Sequence, residues 1–108
     1  MPHKIQRIKK GKEIKAALRG KKRGSYLFDI YLKRNELGYS RFAVITRKIL
    51  GKANKRNKIR RRLTGTINAI WNEIKNIGDI IIIPKKGILE HKFKDILVEI
   101  KTMLAESE

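Results

Sequence analysis

The sequence contains no cysteine, two prolines and one tryptophan, and aromatic residues make up 6% of its 108 positions. The absence of cysteine excludes disulfides and thiolate metal sites, and it leaves the redox compartment open. No apolar run approaches the length of a transmembrane helix, since the longest spans only residues 80–84. The N-terminal residues are polar and basic and lack the apolar stretch of a signal peptide, so we expect a cytoplasmic protein.

Acidic residues are also scarce, and this scarcity sets the charge of the chain. Ten Asp and Glu stand against 28 Lys and Arg, which gives a net charge of +18. The excess lies in residues 1–62, where 22 basic residues accompany 3 acidic ones, whereas residues 63–108 contain 6 basic and 7 acidic residues. A charge that served solubility alone would be spread over both parts. A concentrated charge is typical of a surface that binds a polyanion, so we expect a nucleic-acid partner.

The carboxylates and histidines form no recognisable catalytic pattern. A protein nuclease needs carboxylates that hold metal ions, or a general base. No two acidic residues of the basic part lie close in sequence, and His3 and His91 have no partners at metal-ligand spacing. A glycine-rich phosphate loop is missing as well. The sequence therefore predicts neither a catalytic residue nor a metal site in the protein itself.

Apolar periodicity predicts a single α+β domain over residues 1–108, a sandwich with the element order α-β-β-α-β-α. We expect a loose basic arm at residues 1–6, a basic connector at 21–24 and a frayed tail at 105–108. The first two strands are expected to pair antiparallel as a hairpin. The predicted elements are a helix over residues 9–18, strands over 26–33 and 41–47, a long helix over 53–76, a strand over 79–84 and a helix over 89–104.

The same periodicity predicts the core. Apolar residues follow helical spacing in the last two helices and alternate in the first strand, while residues 79–84 are apolar on both faces, as in a central strand that helices cover. Gly65 interrupts the long helix at a cost of about 1 kcal/mol relative to alanine. The predicted core residues are Tyr26, Phe28, Ile30, Leu32, Phe42, Val44, Thr46, Ile59, Leu63, Ile67, Ile70, Trp71, Ile74, Phe93, Ile96, Leu97, Ile100, Met103 and Leu104.

The strongest local signal is a basic cluster at the start of the long helix, where seven of eleven residues from 52 to 62 are basic. Cations at a helix N-terminus oppose the macrodipole, and like charges four residues apart repel, so stability does not explain the cluster. Guanidinium groups match phosphate oxygens, and the amides of a helix N-terminus add donors. The predicted binding residues are Lys52, Lys55, Arg56, Asn57, Lys58, Arg60, Arg61 and Arg62.

This segment, GKANKRNKIRR at residues 51–61, resembles the signature of the bacterial ribonuclease P protein component. In that signature a glycine and an alanine lead into Arg-Asn, then two residues, then a basic pair. The similarity covers about residues 4–104, including Arg41 at the start of a strand that runs into a basic loop. The resemblance implies a ribosomal-protein-like fold with a left-handed β-α-β crossover, where the general rule would predict a right-handed one.

The resemblance also implies a function. Proteins of this family have no active site of their own and assist a catalytic RNA, which holds most of the magnesium and removes the 5′ leader of precursor tRNA. The chain would then be a monomer that binds one catalytic RNA and precursor tRNA, without a membrane partner. The family holds the leader in a cleft between the sheet and the first helix. The matching positions are Ile14, Leu18, Tyr31, Arg47 and Lys48.

The cleft departs from the family pattern on the first helix. The family usually has two phenylalanines one turn apart where this sequence has Ile14 and Leu18. Aromatic rings stack on bases, whereas aliphatic side chains offer only contact area. Leader binding would therefore be weaker here or would depend more on Tyr31, Arg47 and Lys48. Plain core packing of Ile14 and Leu18 stays open as the other interpretation.

Two other classes of protein share these features. A ribosomal protein would have the same charge and size and a related fold. A DNA-binding protein would have the basic helix, but helix-turn-helix spacing and a dimer signal are missing. The nucleic acid that co-purifies separates the three classes, because they predict a single structured RNA, ribosomal RNA and bulk DNA, respectively.

Overall fold

A computed structural model describes residues 6–73 and 78–106, and within them the chain forms one four-stranded sheet and three α-helices. The mixed α+β class predicted from the sequence is confirmed. Short 3-10 turns lie at Lys48–Leu50, Trp71–Glu73 and Ile88–Glu90. The main elements are α1 (Gly11–Ala17), β1 (Lys21–Gly24), β2 (Phe28–Lys33), β3 (Arg41–Val44), α2 (Ala53–Ile70), β4 (Asp79–Pro84) and α3 (Phe93–Glu106).

The sheet has the strand order β1-β2-β4-β3, with β4 antiparallel to β2 and parallel to β3. The predicted hairpin between β2 and β3 is therefore wrong, because β4 lies between these strands. All six residues of β4 are buried. Its position between β2 and β3 gives this apolar strand a hydrogen-bonded neighbour at both edges. The β3-α2-β4 segment is the predicted crossover, and its left hand stays a prediction that the family resemblance implies.

The predicted connector at residues 21–24 is a strand, β1, which forms the actual hairpin with β2. Its sequence, KKRG, contains no apolar residue, so no alternation predicted it. The Ser25 hydroxyl closes the turn by accepting hydrogen bonds from the amides of Leu27 and Phe28, at 3.1 and 3.3 Å. Tyr26 lies in this turn with 65% of its surface exposed, so its predicted core position is wrong, and Leu27 is buried instead.

Helices α2 and α3 cover one face of the sheet and bury most of the predicted core there. Phe93 is a wrong prediction, because it lies at the exposed start of α3. Thr46 is only half-buried, and Ile74 lies outside the described residues. The confirmed buried residues are Phe28, Ile30, Leu32, Phe42, Ile59, Leu63, Ile67, Ile70, Trp71, Ile96, Ile100, Met103 and Leu104, with Val44 and Leu97 packed partly buried against them.

Helix α1 lies on the opposite face, over a second apolar cluster formed by Ile8, Ala17, Ala43, Ile81 and Ile83. The chain before α1 follows the edge of β3, since the Phe42 amide donates to the Gln6 carbonyl at 3.0 Å. The predicted arm is thus ordered at residue 6, and residues 1–5 lie outside the described part.

Several predicted boundaries move by a few residues. Helix α2 gives way to a 3-10 turn after Ile70, although the prediction continued to residue 76, and β3 ends at Val44 instead of residue 47. Helix α3 runs through Glu106, past the point where fraying was expected, and residues 107–108 lie outside the described part. Gly78 precedes β4 with φ of 122°, and a Cβ there would collide with the Lys33 backbone, so this turn requires glycine. None of the described helices is long and apolar enough to span a membrane.

Candidate nucleic-acid interface

The first turns of α2 carry a concentration of positive charge that the described part of the protein leaves largely uncompensated. Helix α2 begins after Lys52, which makes no side-chain capping hydrogen bond. Of the predicted basic binding residues, Lys52, Lys55, Lys58 and Arg61 are exposed, and Arg56 is half-buried. Among the described residues, no carboxylate lies at ion-pair distance from any of these five. Phosphate groups are the natural counterions for such a surface.

The arginines of the cluster differ in how the protein holds them. Arg60 donates to the Asn57 side-chain oxygen at 2.7 Å and to the Thr46 hydroxyl at 3.1 Å. These bonds place Arg60 beside Thr46, which follows β3 at the edge of the sheet. Arg62 points to the other side of the helix and reaches the Leu89 carbonyl at 3.5 Å. The Nε of Arg56 is buried and has no hydrogen-bond partner among the described residues.

A groove of about 820 Å³ lies against the outer face of α2. The sequence pointed to three of its lining residues, Asn57, Arg60 and Arg61. It missed the others, although their helical spacing from Arg61 could have indicated most of them. Those residues are Arg7 on the segment beside β3 and Asn54, Thr64, Gly65 and Asn68 on α2.

The predicted leader cleft corresponds to the sheet face beneath α1. Ile14, Leu18 and Tyr31 all pack against the second apolar cluster, and all three are half-buried, so they contribute both to packing and to the accessible surface. Tyr31 is paired across the strands with Lys22 on one side and Ile81 on the other. The Lys22 ammonium lies 5.9 Å from the centre of the Tyr31 ring.

Lys22 and Lys85 lie on the same sheet face as Tyr31, and the sequence did not predict either position. Asp29 lies two residues before Tyr31, on the same face of β2. Its carboxylate is 3.9 Å from the Lys22 ammonium and 3.4 Å from the Lys85 ammonium. The two lysines approach this face from β1 and from the end of β4. No local sequence pattern predicted that these lysines would lie beside Asp29 and Tyr31, because their positions depend on which strands flank β2.

Arg47 and Lys48 do not lie beside Tyr31. They follow β3, which is separated from β2 by β4. Ala43 is level with Tyr31 across the sheet, and Arg47 lies four residues further along, about 13 Å in extended chain. Both side chains are exposed. The structure thus places the aromatic and basic parts of the predicted cleft at separate positions across the sheet.

An ion-pair network that we call the Arg41 clamp fixes α1 on the sheet. The Arg41 guanidinium donates to both carboxylate oxygens of Asp79, at 3.0 and 2.8 Å, and to the Glu13 carboxylate on α1 at 2.7 Å. Asn35 donates a further hydrogen bond of 2.7 Å to Asp79. The hydrogen bond to Asp79 raises the pKa of Arg41 above its ordinary value, against the opposing effect of burial, with a further contribution from Glu13. The clamp therefore ties α1 to β3 and β4, in addition to the packing of α1 on the second apolar cluster.

The donor set of the described residues offers no metal centre. No three His, Asp or Glu side chains among residues 6–73 and 78–106 converge closely enough to hold an ion. Asp29, Asp79 and Glu13 are engaged in the ion pairs given above.

Comparisons with known proteins agree with one another. The model of the family described as Ribonuclease P matches residues 1–108. The ribonuclease P protein component of Syntrophomonas wolfei is 32% identical over 95 residues, which cover 87% of this chain and 80% of the relative. That of Fusobacterium nucleatum is 37% identical over 83 residues, which cover 73% of this chain and 75% of the relative.

Solved structures agree as well. The RNase P protein from Thermotoga maritima gives a TM-score of 0.86 at 22% identity, over 95% of this chain and 98% of that one, which demonstrates the shared fold. The Staphylococcus aureus RNase P protein gives 0.81 at 25% identity, over 97% of both chains. With its Arg-Asn helix, its fold and its full-length family match, this chain belongs to the ribonuclease P protein family.

Proposed function

We propose that this chain is the non-catalytic protein component of ribonuclease P, which binds the catalytic RNA and assists removal of the 5′ leader from precursor tRNA. The observation that carries the proposal is the start of α2, where the Arg-Asn motif lies within a basic surface that no described carboxylate neutralises. The like charges of this surface destabilise the isolated protein, and bound phosphates would neutralise them and stabilise it. We expect a monomer in a one-to-one complex with the RNA, acting in the cytoplasm.

The proposed assistance is electrostatic. Catalytic RNA and precursor tRNA are both polyanions, so their phosphates repel each other when they meet. A protein of net charge +18 placed between them supplies positive charge that otherwise has to come from counterions. Magnesium, which we propose is held mainly by the RNA, supplies the charge stabilisation that phosphodiester hydrolysis requires. The protein's residues bind and orient the two RNAs.

For the leader we propose the sheet face beneath α1. Tyr31 offers an aromatic surface on which a base can stack, and Lys22 adds a cation beside it. Ile14 and Leu18 are half-buried against the same apolar cluster, and their accessible parts offer the leader an apolar contact surface. Arg47 and Lys48, at the far side of β4, are exposed and can meet leader phosphates as the strand crosses the sheet.

Reconstitution tests the proposal. The protein alone is expected to leave precursor tRNA intact, and addition of ribonuclease P RNA is expected to give cleavage. The stimulation by protein should be greatest at low magnesium, where few counterions are available to replace it. The measurement is the initial rate of 5′-leader release across a magnesium series, with and without protein. Cleavage by protein freed of RNA, or equal rates with and without protein throughout the series, would contradict the proposal.

Tyr31→Ala is expected to lower the affinity for precursor tRNA that carries a leader and to leave the affinity for mature tRNA unchanged. The loss should equal one stacked base, about 1–3 kcal/mol, or roughly 5- to 150-fold in Kd. Both affinities are measured with the complex reconstituted on ribonuclease P RNA. Tyr39→Ala is the control, because Tyr39 is an exposed tyrosine in the β2–β3 loop. An equal loss for both RNAs would remove Tyr31 from the leader site.

The double variant Ile14→Phe, Leu18→Phe tests the other wall of the cleft. If both side chains line the groove, the new rings should tighten leader binding and leave the melting temperature unchanged. If they serve only the second apolar cluster, the added volume overpacks it and costs about 1–3 kcal/mol each. Leader affinity and thermal melting are measured on the same preparations. A lower melting temperature without a gain in affinity would end the leader role of α1.

A further inference from the structure

The outer face of α2 carries a feature that phosphate binding does not explain. The residues Asn54, Asn57, Arg61, Thr64, Gly65 and Asn68 share one side of the helix, opposite the buried stripe that Ile59, Leu63 and Ile67 begin. This side, which we call the amide stripe, is uncharged except for Arg61. The groove along it is lined by no acidic residue of the described chain.

Gly65 is the key position of the stripe. It lies in the middle of an 18-residue helix, is exposed, and is not among the glycines with positive φ. A Cβ built on it would meet no other atom within 4 Å. Neither the backbone nor internal packing therefore requires glycine, although glycine is the least favourable residue in a helix after proline. A requirement from outside the chain, the close approach of another molecule to the helix backbone, accounts for it.

The rest of the stripe follows the same pattern. Asn57 and Asn68 are exposed, and asparagine is a poor helix former where packing does not demand it, whereas Asn54 lies in the first turn and accepts from the Lys55 amide at 2.8 Å. An amide side chain both donates and accepts hydrogen bonds, as does the Thr64 hydroxyl. Asn57 uses its oxygen to accept from Arg60, which leaves its N–H groups to donate outward.

We propose that the amide stripe binds the sugar edge of an A-form RNA helix, in its wide and shallow minor groove. That groove displays 2′-hydroxyls and base edges, which are donors and acceptors that amides and hydroxyls match, and short side chains let the helix backbone approach it closely. Arg7 and Arg60, at the side of the groove, are placed for the flanking phosphates. This inference rests on the proposed function and deepens it, since it extends RNA contact along α2 by two turns and names the chemistry read there.

Gly65→Ala is the decisive variant, because its effects on folding and on binding should be opposite. The melting temperature should rise by about 4 °C, as alanine favours the helix and meets open space. The affinity for a ribonuclease P RNA transcript should fall about tenfold, because the methyl group holds the RNA away from the backbone. Gly11→Ala is the matched control: Gly11 is exposed in the first turn of α1 and also has nothing within 4 Å. It should leave RNA affinity unchanged.

Asn68→Ala separates sugar contacts from phosphate contacts. It should weaken binding about fivefold without changing the slope of log K against log salt, whereas loss of a phosphate contact lowers that slope. A short RNA duplex should compete for the protein better than a DNA duplex of the same sequence, and Gly65→Ala should remove that preference. Thr102→Ala, on the exposed face of α3, is the control for Asn68→Ala.

The outcomes distinguish this inference from the function on which it rests. If Gly65→Ala and Asn68→Ala bind the transcript as the parent does, while loss of Arg56, which lies outside the stripe, weakens binding, the stripe does not read the sugar edge of RNA and the proposed function stands. The inference also fails if RNA and DNA duplexes compete equally, because the surface then reads phosphates alone. If the parent protein does not bind the transcript, both proposals fail.

Discussion

Arg41→Ala is expected to lower the free energy of unfolding by about 3 kcal/mol. The Arg41 and Asp79 side chains are 14% and 10% exposed, and the variant leaves the Asp79 carboxylate without its bidentate partner. Breaking a buried pair on one side costs about 3–5 kcal/mol, and residual exposure places this pair at the lower end. The measurement is urea unfolding followed by circular dichroism. Because the folded state raises the pKa of Arg41 further above neutrality, its contribution should be the same from about pH 7 to about pH 9.

Two further variants give this prediction its controls. Arg41→Lys keeps the charge but loses the fork of donors that spans Asp79 and Glu13, so we expect an intermediate loss of about 1–2 kcal/mol. Arg34→Ala removes an exposed arginine from the β2–β3 loop and should change stability by less than about 0.5 kcal/mol. If Arg41→Ala were as stable as Arg34→Ala, the clamp would be a surface contact without a structural role.

The double variant Arg56→Ala, Arg61→Ala is expected to bind ribonuclease P RNA about a hundredfold more weakly. Among the described residues, exposed Arg61 and half-buried Arg56 have no carboxylate partner, so both guanidinium groups can contact phosphates. A hydrogen bond to a charged group contributes about 1.5–3 kcal/mol, and at the lower end of this range, which suits solvent-accessible contacts, each contributes roughly tenfold in Kd. The slope of log K against log salt should fall by roughly 1.4–1.8 for the two lost phosphate contacts.

Folding should be unaffected or slightly improved in this variant, because Arg56 and Arg60 are like charges four residues apart near a helix N-terminus. The double variant Lys92→Ala, Lys94→Ala removes the same net charge from exposed positions near the start of α3. It is the control for a general decrease in the positive electrostatic potential of the protein. Equal weakening in the two double variants would mean that the charge as a whole, and not the start of α2, binds the RNA. A loss of folding with unchanged affinity of the folded fraction would make the two arginines structural.

The sequence alone was sufficient for the elements whose signals are local. The helical spacing of Ile59, Leu63 and Ile67 determines the buried side of α2, and the apolar run of β4 determines its central place in the sheet. The Arg-Asn motif lies within eleven consecutive residues, so the family could be identified without the fold.

Only the tertiary structure decided which strands are neighbours and what lies beside Tyr31. The KKRG segment becomes β1 because β2 offers it an unpaired edge, and a strand of that kind has no apolar pattern by which to predict it. The same pairing brings Lys22 to the Tyr31 ring, while β4 takes the place beside β2 that the sequence assigned to β3. Arg41, Asp79 and Glu13 are far apart in sequence and meet only after α1 packs on the sheet. Strand pairing depends on competition between distant segments for the same edge, and a local pattern of residues carries no information about that competition.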